Sequence, residues 1–251
     1  WDHYIRLAGE QRPAPWEEVY TALIQVREAS IGVIDDEAVC LLTLKIATLA
    51  EHELQQDEAA LEMYLNALDL ESDLLPALDA AQDIYEKHER WGETLDIIER
   101  KIELTEDEAL EALWFKRGEI YRDSVQDPQN AIDSFVFLLD LNPERLDAVQ
   151  NLHLLYREVE DSNALYQTIN KELELISDED QPQRLTLSLE LALLEKSDLK
   201  KPQEAIERLN QILEQFNEPP SAIELLETFL DSASHGADAA QILAPIYEKS
   251  E

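Results

Sequence analysis

Five histidines and one cysteine are the side chains with which this chain could most readily hold a metal or act as a nucleophile. His3, His52, His88, His153 and His235 are scattered along the sequence, and no two stand at metal-ligand spacing. The stretch HELQQ (52–56) begins like a helical zinc-protease motif, which needs a second histidine four residues on to put both imidazoles on one helix face. That position is Gln56, so His52 reads as a surface or helix-end residue. Cys40, the single cysteine, lies in the apolar run AVCLLTL and reads as a buried thiol. One cysteine permits neither an internal disulfide nor a thiolate metal cage. The sequence contains no G-x-G, no G-x4-G-K and no G-x-S-x-G, so a phosphate cradle and a nucleophile elbow are both missing. Among 56 carboxylates close pairs arise by chance, and none has a claim to acid/base work. The triplet Asp178-Glu179-Asp180 lacks the glycine and spaced acids of a calcium loop, and reads as the acidic start of a helix. No catalytic, metal-binding or cofactor-binding residue is expected.

The elements behind these residues are helical. Hydrophobic residues make up 45% of the 251, only five are glycine, and no apolar run approaches the length that spans a bilayer. The 20 Lys and Arg against 56 Asp and Glu leave a net charge of −36. Nucleic acid and anionic membranes need a basic surface, so neither is an expected partner. The acids are dispersed, which suits a solvated surface; a basic partner drawn in by the negative field is the functional alternative. A cytoplasmic location fits the cysteine usage. The chain begins on Trp1 rather than Met, which leaves room for a removed leader.

Internal repetition organises the whole length. The segments 44–70, 115–141 and 189–215 align without gaps. Small residues fall at Ala47, Gly118 and Ala192, and again thirteen positions later at Ala60, Ala131 and Ala205; Tyr64, Phe135 and Leu209 follow four beyond those. Shorter units, 78–104 and 151–175, lie between. The landmark positions run Val19, Ala60, Thr94, Ala131, Leu165, Ala205 and Ala239, so long and short units alternate and the short step is 34 residues. Each unit carries two apolar stretches at helical spacing, such as Leu95, Ile98 and Ile102. Asp127-Pro128 and Lys201-Pro202 place proline in a first turn, and Thr105/Glu108 and Ser221/Glu224 have capping-box spacing.

WFKRGEIY (114–121), then AIDSF (131–135), then Asn142-Pro143, resembles the tetratricopeptide repeat, whose pattern is W-x2-L-G-x2-Y, A-x3-F and P. Trp114, Gly118, Tyr121, Ala131, Phe135 and Pro143 match; Arg117 stands where leucine is usual, and one extra residue separates Tyr121 from Ala131. Tyr85 and Tyr156 hold the first-helix tyrosine position in the short units. The resemblance covers about residues 15 to 235 and is similar to degenerate bacterial tandem arrays. It implies an all-α solenoid of antiparallel helix pairs, about six repeats, with a concave face lined by the first helices. The chain is expected to be one array over 1–251, cut from a longer one, since neither end shows a polar capping helix. Trp16, Trp91 and Trp114 are expected to pack, and Trp1 to be exposed. Residues 237–249 are open to two readings, a first helix like that before Trp91, or a second helix with Pro245 inside it.

The resemblance also implies which residues would meet a partner. They are Asp79, Asp83 and Glu86 in one unit, Phe115, Lys116, Glu119 and Arg122 in the next, and Gln150, Leu154 and Arg157 in the third. The family's carboxylate clamps use Lys, Asn and Arg there; Asp79, Asp83 and Glu119 argue against a clamp of that kind. The expected function is a protein–protein interaction scaffold for a protein or peptide, basic if the acids serve binding. The alternatives are a spacer self-associating through uncapped ends, or a regulatory arm of a larger protein.

Overall fold

The computed structural model describes residues 2–11 and 14–250, the side chain of Ser250 apart. Trp1 lies outside them. All regular structure among the described residues is helical, and the chain divides into two compact units, 1–125 and 126–251.

The first unit runs α1 (Asp2–Gly9), α2 (Trp16–Ser30), α3 (Asp36–His52), α4 (Asp57–Leu70), α5 (Leu75–Lys87), α6 (Trp91–Leu104) and α7 (Asp107–Glu119), which continues as a π-helical segment, Ile120–Val125. Each helix packs on the next, as short connections between helices require. The core joins α2 through α6 around Leu23, Ile46, Ala60, Tyr64, Leu78 and Tyr85. A smaller cluster of Leu95, Ile98, Leu113 and Ile120 seats α6 against α7, with Trp91 and Tyr121 packed on it. Trp16 packs on the larger core, so these tryptophans serve packing as expected.

The second unit runs α8 (Pro128–Leu141), α9 (Leu146–Glu158), α10 (Ser162–Leu175), α11 (Gln181–Ser197), α12 (Pro202–Gln215), α13 (Pro220–Glu227) and α14 (Gly236–Ser250). Here too neighbours in sequence pack together. One cluster gathers Leu165, Ile169, Leu187 and Leu191; another gathers Ala205, Leu209, Leu226, Ala239 and Leu243. Helix α14 follows α13 as its partner, so 237–249 is a second helix, and Pro245 lies in its interior.

Every landmark position is buried, and Thr94, Ala60, Ala131, Ala205 and Ala239 are sealed completely. A small residue at a crossing lets two helices approach, and the larger residue four positions on fills the adjoining space. Tyr64, Phe135 and Leu209 are correspondingly buried.

The turns between paired helices repeat a second device. Gln55, Glu89, Gln126, Glu160 and Lys200 all have positive φ, between 55° and 59°, and each lies five residues before a landmark. In the short units the next amide reaches back five residues, from Arg90 to Tyr85 and from Asp161 to Tyr156. In the long ones it reaches back six, from Gln56 to Ala50 and from Lys201 to Glu195. The extra residue is thus taken into the hairpin turn. Downstream of Gly118 the helix itself widens into a π segment, the usual way a helix accommodates an insertion.

The starts expected at Asp127-Pro128, Lys201-Pro202 and the 178–180 triplet form, and Asp35 and Asp161 add two more. Asp35, Asp127, Asp161 and Asp180 each accept a hydrogen bond from the amide three residues on. The two capping boxes do not form. Thr105 is the extended residue closing α6, and α7 starts after Glu106 through Asp107 at φ 57°. Ser221 lies inside the first turn of α13, because Pro219 and Pro220 have already set the helix entry. Cys40 is buried, and burial followed by the nearby Glu71 carboxylate pushes its thiol up.

An L-residue in the left-handed region costs energy that glycine does not incur. Glu89→Gly is therefore expected to raise stability by about 0.5–1 kcal/mol, read as a higher urea midpoint at unchanged slope. A lower midpoint would show that the side chain, not the backbone, governs the turn.

Candidate functional site

In the first unit the expected partner-facing residues lie on α5, α7 and the π segment. Lys116 of α7 donates to Glu86 of α5 at 2.9 Å, so these two first helices stand side by side. Gln82 supports Glu86 from one turn away, at 2.8 Å. Asp79 is exposed and pairs with Lys101 of α6 at 2.6 Å. Asp83 is exposed and has no hydrogen-bond or ion-pair partner among the described residues. Burial, then the neighbouring Glu86 and Asp79, push its carboxyl up. Phe115 and Glu119 are half-buried. Arg122 clasps the adjacent Asp123 through two bonds, at 2.7 and 2.6 Å. Arg117, in the usual leucine position, lays its guanidinium over Trp114 and Tyr121, 5.2 and 4.8 Å from their ring centres, and reaches Glu99 at 3.4 Å. Its flat, weakly hydrated cation can occupy a place among rings that lysine would fill poorly.

In the second unit Gln150, Leu154 and Arg157 all lie on α9, but they do different work. Leu154 is 56% exposed. Arg157 crosses to α11 and donates to Glu190 through Nε at 3.1 Å and Nη2 at 2.5 Å. This pairing sets the first helices α9 and α11 side by side, as Lys116 and Glu86 do for α5 and α7. Gln150 turns inward to Glu172 at 3.4 Å, which makes it a structural residue.

Glu172 marks a polar centre that the sequence reading missed. It is 3% exposed on α10 and receives His153 Nδ1 at 2.7 Å and Gln183 of α11 at 3.0 Å. His153 Nε2 is 3.2 Å from Glu190, and the Arg157 guanidinium lies 2.8 Å from the same ring nitrogen. Glu190 therefore serves two cationic groups. Burial alone would lower the His153 pKa; the hydrogen bonds to Glu172 and Glu190 outweigh it and push it up to about 9. Burial likewise opposes ionisation of Glu190, but its bonds from His153 and Arg157 prevail and hold its carboxyl low. A second buried carboxylate, Glu195, is gripped by Arg208 of α12 at 2.9 and 2.7 Å, and accepts from Tyr166 at 3.1 Å. A local signal existed for both. Glu172 falls in the apolar stripe Leu165, Ile169, Ile176, and Glu195 in the stripe Leu187, Leu191.

Two clefts open beside these first helices. One, of about 470 Å³, is lined by residues of α9, α10, α11 and their turns, among them Arg157, Leu165, Glu190, Leu193 and Leu194. The other, of about 440 Å³ in the first unit, is polar and lined by Glu51, His52, Asp57, Asp83 and Lys87 among others. Its Asp57 is held by Lys87 at 2.6 Å and His88 at 2.7 Å. No group of three His, Cys, Asp or Glu among the described residues could hold a metal ion, and no described helix is long and apolar enough to cross a membrane.

No protein-family model matches the chain, and no curated protein matches it significantly. Solved structures similar to it include YrrB, a TPR protein with an unusual peptide-binding site, at 16% identity and TM-score 0.43 over 74% of this chain and 90% of that one. PilF of Pseudomonas aeruginosa is similar at 15% identity and TM-score 0.40, over 85% of this chain and 99% of that one. A tetratricopeptide repeat protein from Parabacteroides merdae is similar at 14% and 0.40, over 90% and 98%. At such scores the likeness adds nothing to the fold argument, which rests on the repeated helix pairs themselves.

His153 carries its charge in the folded chain to higher pH than an unfolded histidine would. Its contribution is therefore complete below about 6.5 and is lost as pH rises through about 9. His153→Leu leaves the buried Glu172 carboxylate with neutral donors but no cation and is expected to cost about 3–5 kcal/mol near neutrality. The gap to the parent chain should narrow with rising pH. Urea melts at stepped pH measure both; a gap independent of pH would mean that the imidazole is neutral in the fold.

Proposed function

We propose that the chain is a protein-interaction scaffold, and that a partner segment lies along the faces made by its first helices. The observation that carries this is the side-by-side setting of α5 with α7 and of α9 with α11, each tied by a cross-helix ion pair. Adjacent first helices joined in this way form an extended, preorganised surface rather than isolated ridges. Preorganisation is what allows a partner to bind without the receptor losing much conformational entropy. The surface carries apolar and ionic positions close together, the mixture that recognition of a helical or extended segment requires. With 56 acids and 20 bases in the chain, the favoured partner is basic.

The test is capture of partners from the native lysate with this chain as bait, at low and high salt. Basic partners are expected, with several-fold less recovered at high salt as charges are screened beyond about 8 Å. Leu154→Asp should reduce recovery of partners that use the second unit. Recovery of the chain alone would replace this reading with that of a self-associating spacer.

A further inference from the structure

Resting on the scaffold reading, we infer that the cleft between α9 and α11 is a specificity subsite for a partner segment with an apolar side chain beside a lysine or arginine. The cleft's volume, about 470 Å³, falls in the range of sites that enclose a ligand group, about 300–1,000 Å³. Its apolar lining comes from Leu165, Leu193 and Leu194. Leu193 is 50% exposed although it stands on a helix whose other leucines at 187, 191 and 194 are buried. A leucine left in water on a first helix, opening on a cleft, gains free energy when an apolar group covers it.

Charge selects the occupant. The cleft's inner carboxylate, Glu190, is already neutralised by Arg157 and His153. The two outer carboxylates, Glu160 and Asp198, line the same cleft and have no ion-pair partner among the described residues. A basic side chain would therefore meet uncompensated negative charge at the rim while its neighbour enters among the leucines. An acidic segment would meet repulsion there. The first-unit cleft shares the unpaired rim charge, through Asp83, but has no leucine in its lining, so it offers a basic segment no comparable apolar seat. Glu160 also holds the left-handed turn position, which fixes where its carboxylate leaves the backbone.

The probe is the peptide acetyl-Gly-Leu-Lys-Leu-Gly-amide, titrated into the whole chain with methyl-labelled leucines and read by NMR. Two controls replace its lysine by glutamate, or both its leucines by serine. Shifts at Leu193 and Leu194 methyls are expected for the probe and not for either control. The paired substitution Glu160→Gln with Asp198→Asn, both at the surface, should weaken the probe roughly three- to tenfold. Leu193→Ser should weaken it about tenfold while the remaining methyl spectrum stays in place. Equal binding of the glutamate control, or no shift at Leu193 and Leu194, would overturn the subsite. Shifts confined to other first-helix positions would overturn it too, yet leave the scaffold reading standing; failure of the scaffold reading shows separately, as a bait that captures only itself.

Discussion

Two α-helices can bring their backbones together only where neither puts a large side chain at the crossing. In this chain that condition is met by alanine or threonine at Ala60, Thr94, Ala131, Ala205 and Ala239, with Leu165 a departure, and much else follows from its recurrence. Because Ala60, Ala131, Ala205 and Ala239 are sealed, the residue four places on must fill the adjoining gap. A tyrosine, phenylalanine or leucine fills it in the long units. The hairpin turns must then return the chain at a set distance, which puts a non-glycine residue in the left-handed region at the same place five times. Variation in unit length is taken up largely by the first helices, 17 residues in α3 and α11 against 13 in α5 and α9, with one further residue accommodated in the hairpin turns of α3/α4 and α11/α12. Packing at the crossing is thus held constant while the lengths around it vary, as expected when side-chain volume is costly to misplace.

The scarcity of bases gives the electrostatics their form. Twenty cations cannot neutralise 56 acids, and several of the pairs observed lie between helices rather than along one. Lys101, Lys116, Arg157 and Arg208 all bridge helices. The partly exposed pairs among them contribute little energy individually, but those of Lys116 and Arg157 tie one first helix to the next. The acids left over remain in water, where they repel like-charged molecules and attract basic ones over about a Debye length.

Buried carboxylates are the exception. Glu172 and Glu195 could stay ionised only with close partners, because a bare charge in a core is too costly. Each is met by a cation and by neutral donors on neighbouring helices. Such centres tolerate fewer arrangements than an apolar contact would, since a slipped helix would strand the charge. In the second unit they therefore specify register among α9, α10, α11 and α12, and Arg157 reaches the surface in a position set from within.

The amino-acid sequence by itself determined the helical class, the alternating unit lengths, the landmark positions and the helix starts at Asp127 and Asp180. These depend on neighbours a few residues away, whose periodicity and turn chemistry are written along the chain. It also placed Lys116, Glu86, Leu154 and Arg157 on first helices. The tertiary structure alone decided that Lys116 meets Glu86 and that Arg157 meets Glu190, that Gln150 turns inward, and that His153 sits between two glutamates. It also decided that proline entry at α13 and the extended Thr105 displace two expected caps. His153, Glu172 and Glu190 are 19 and 18 residues apart on three different helices. No local rule couples such positions. Their meeting depends on how far each helix is rotated about its axis, and that rotation is chosen by the packing of all its buried neighbours at once.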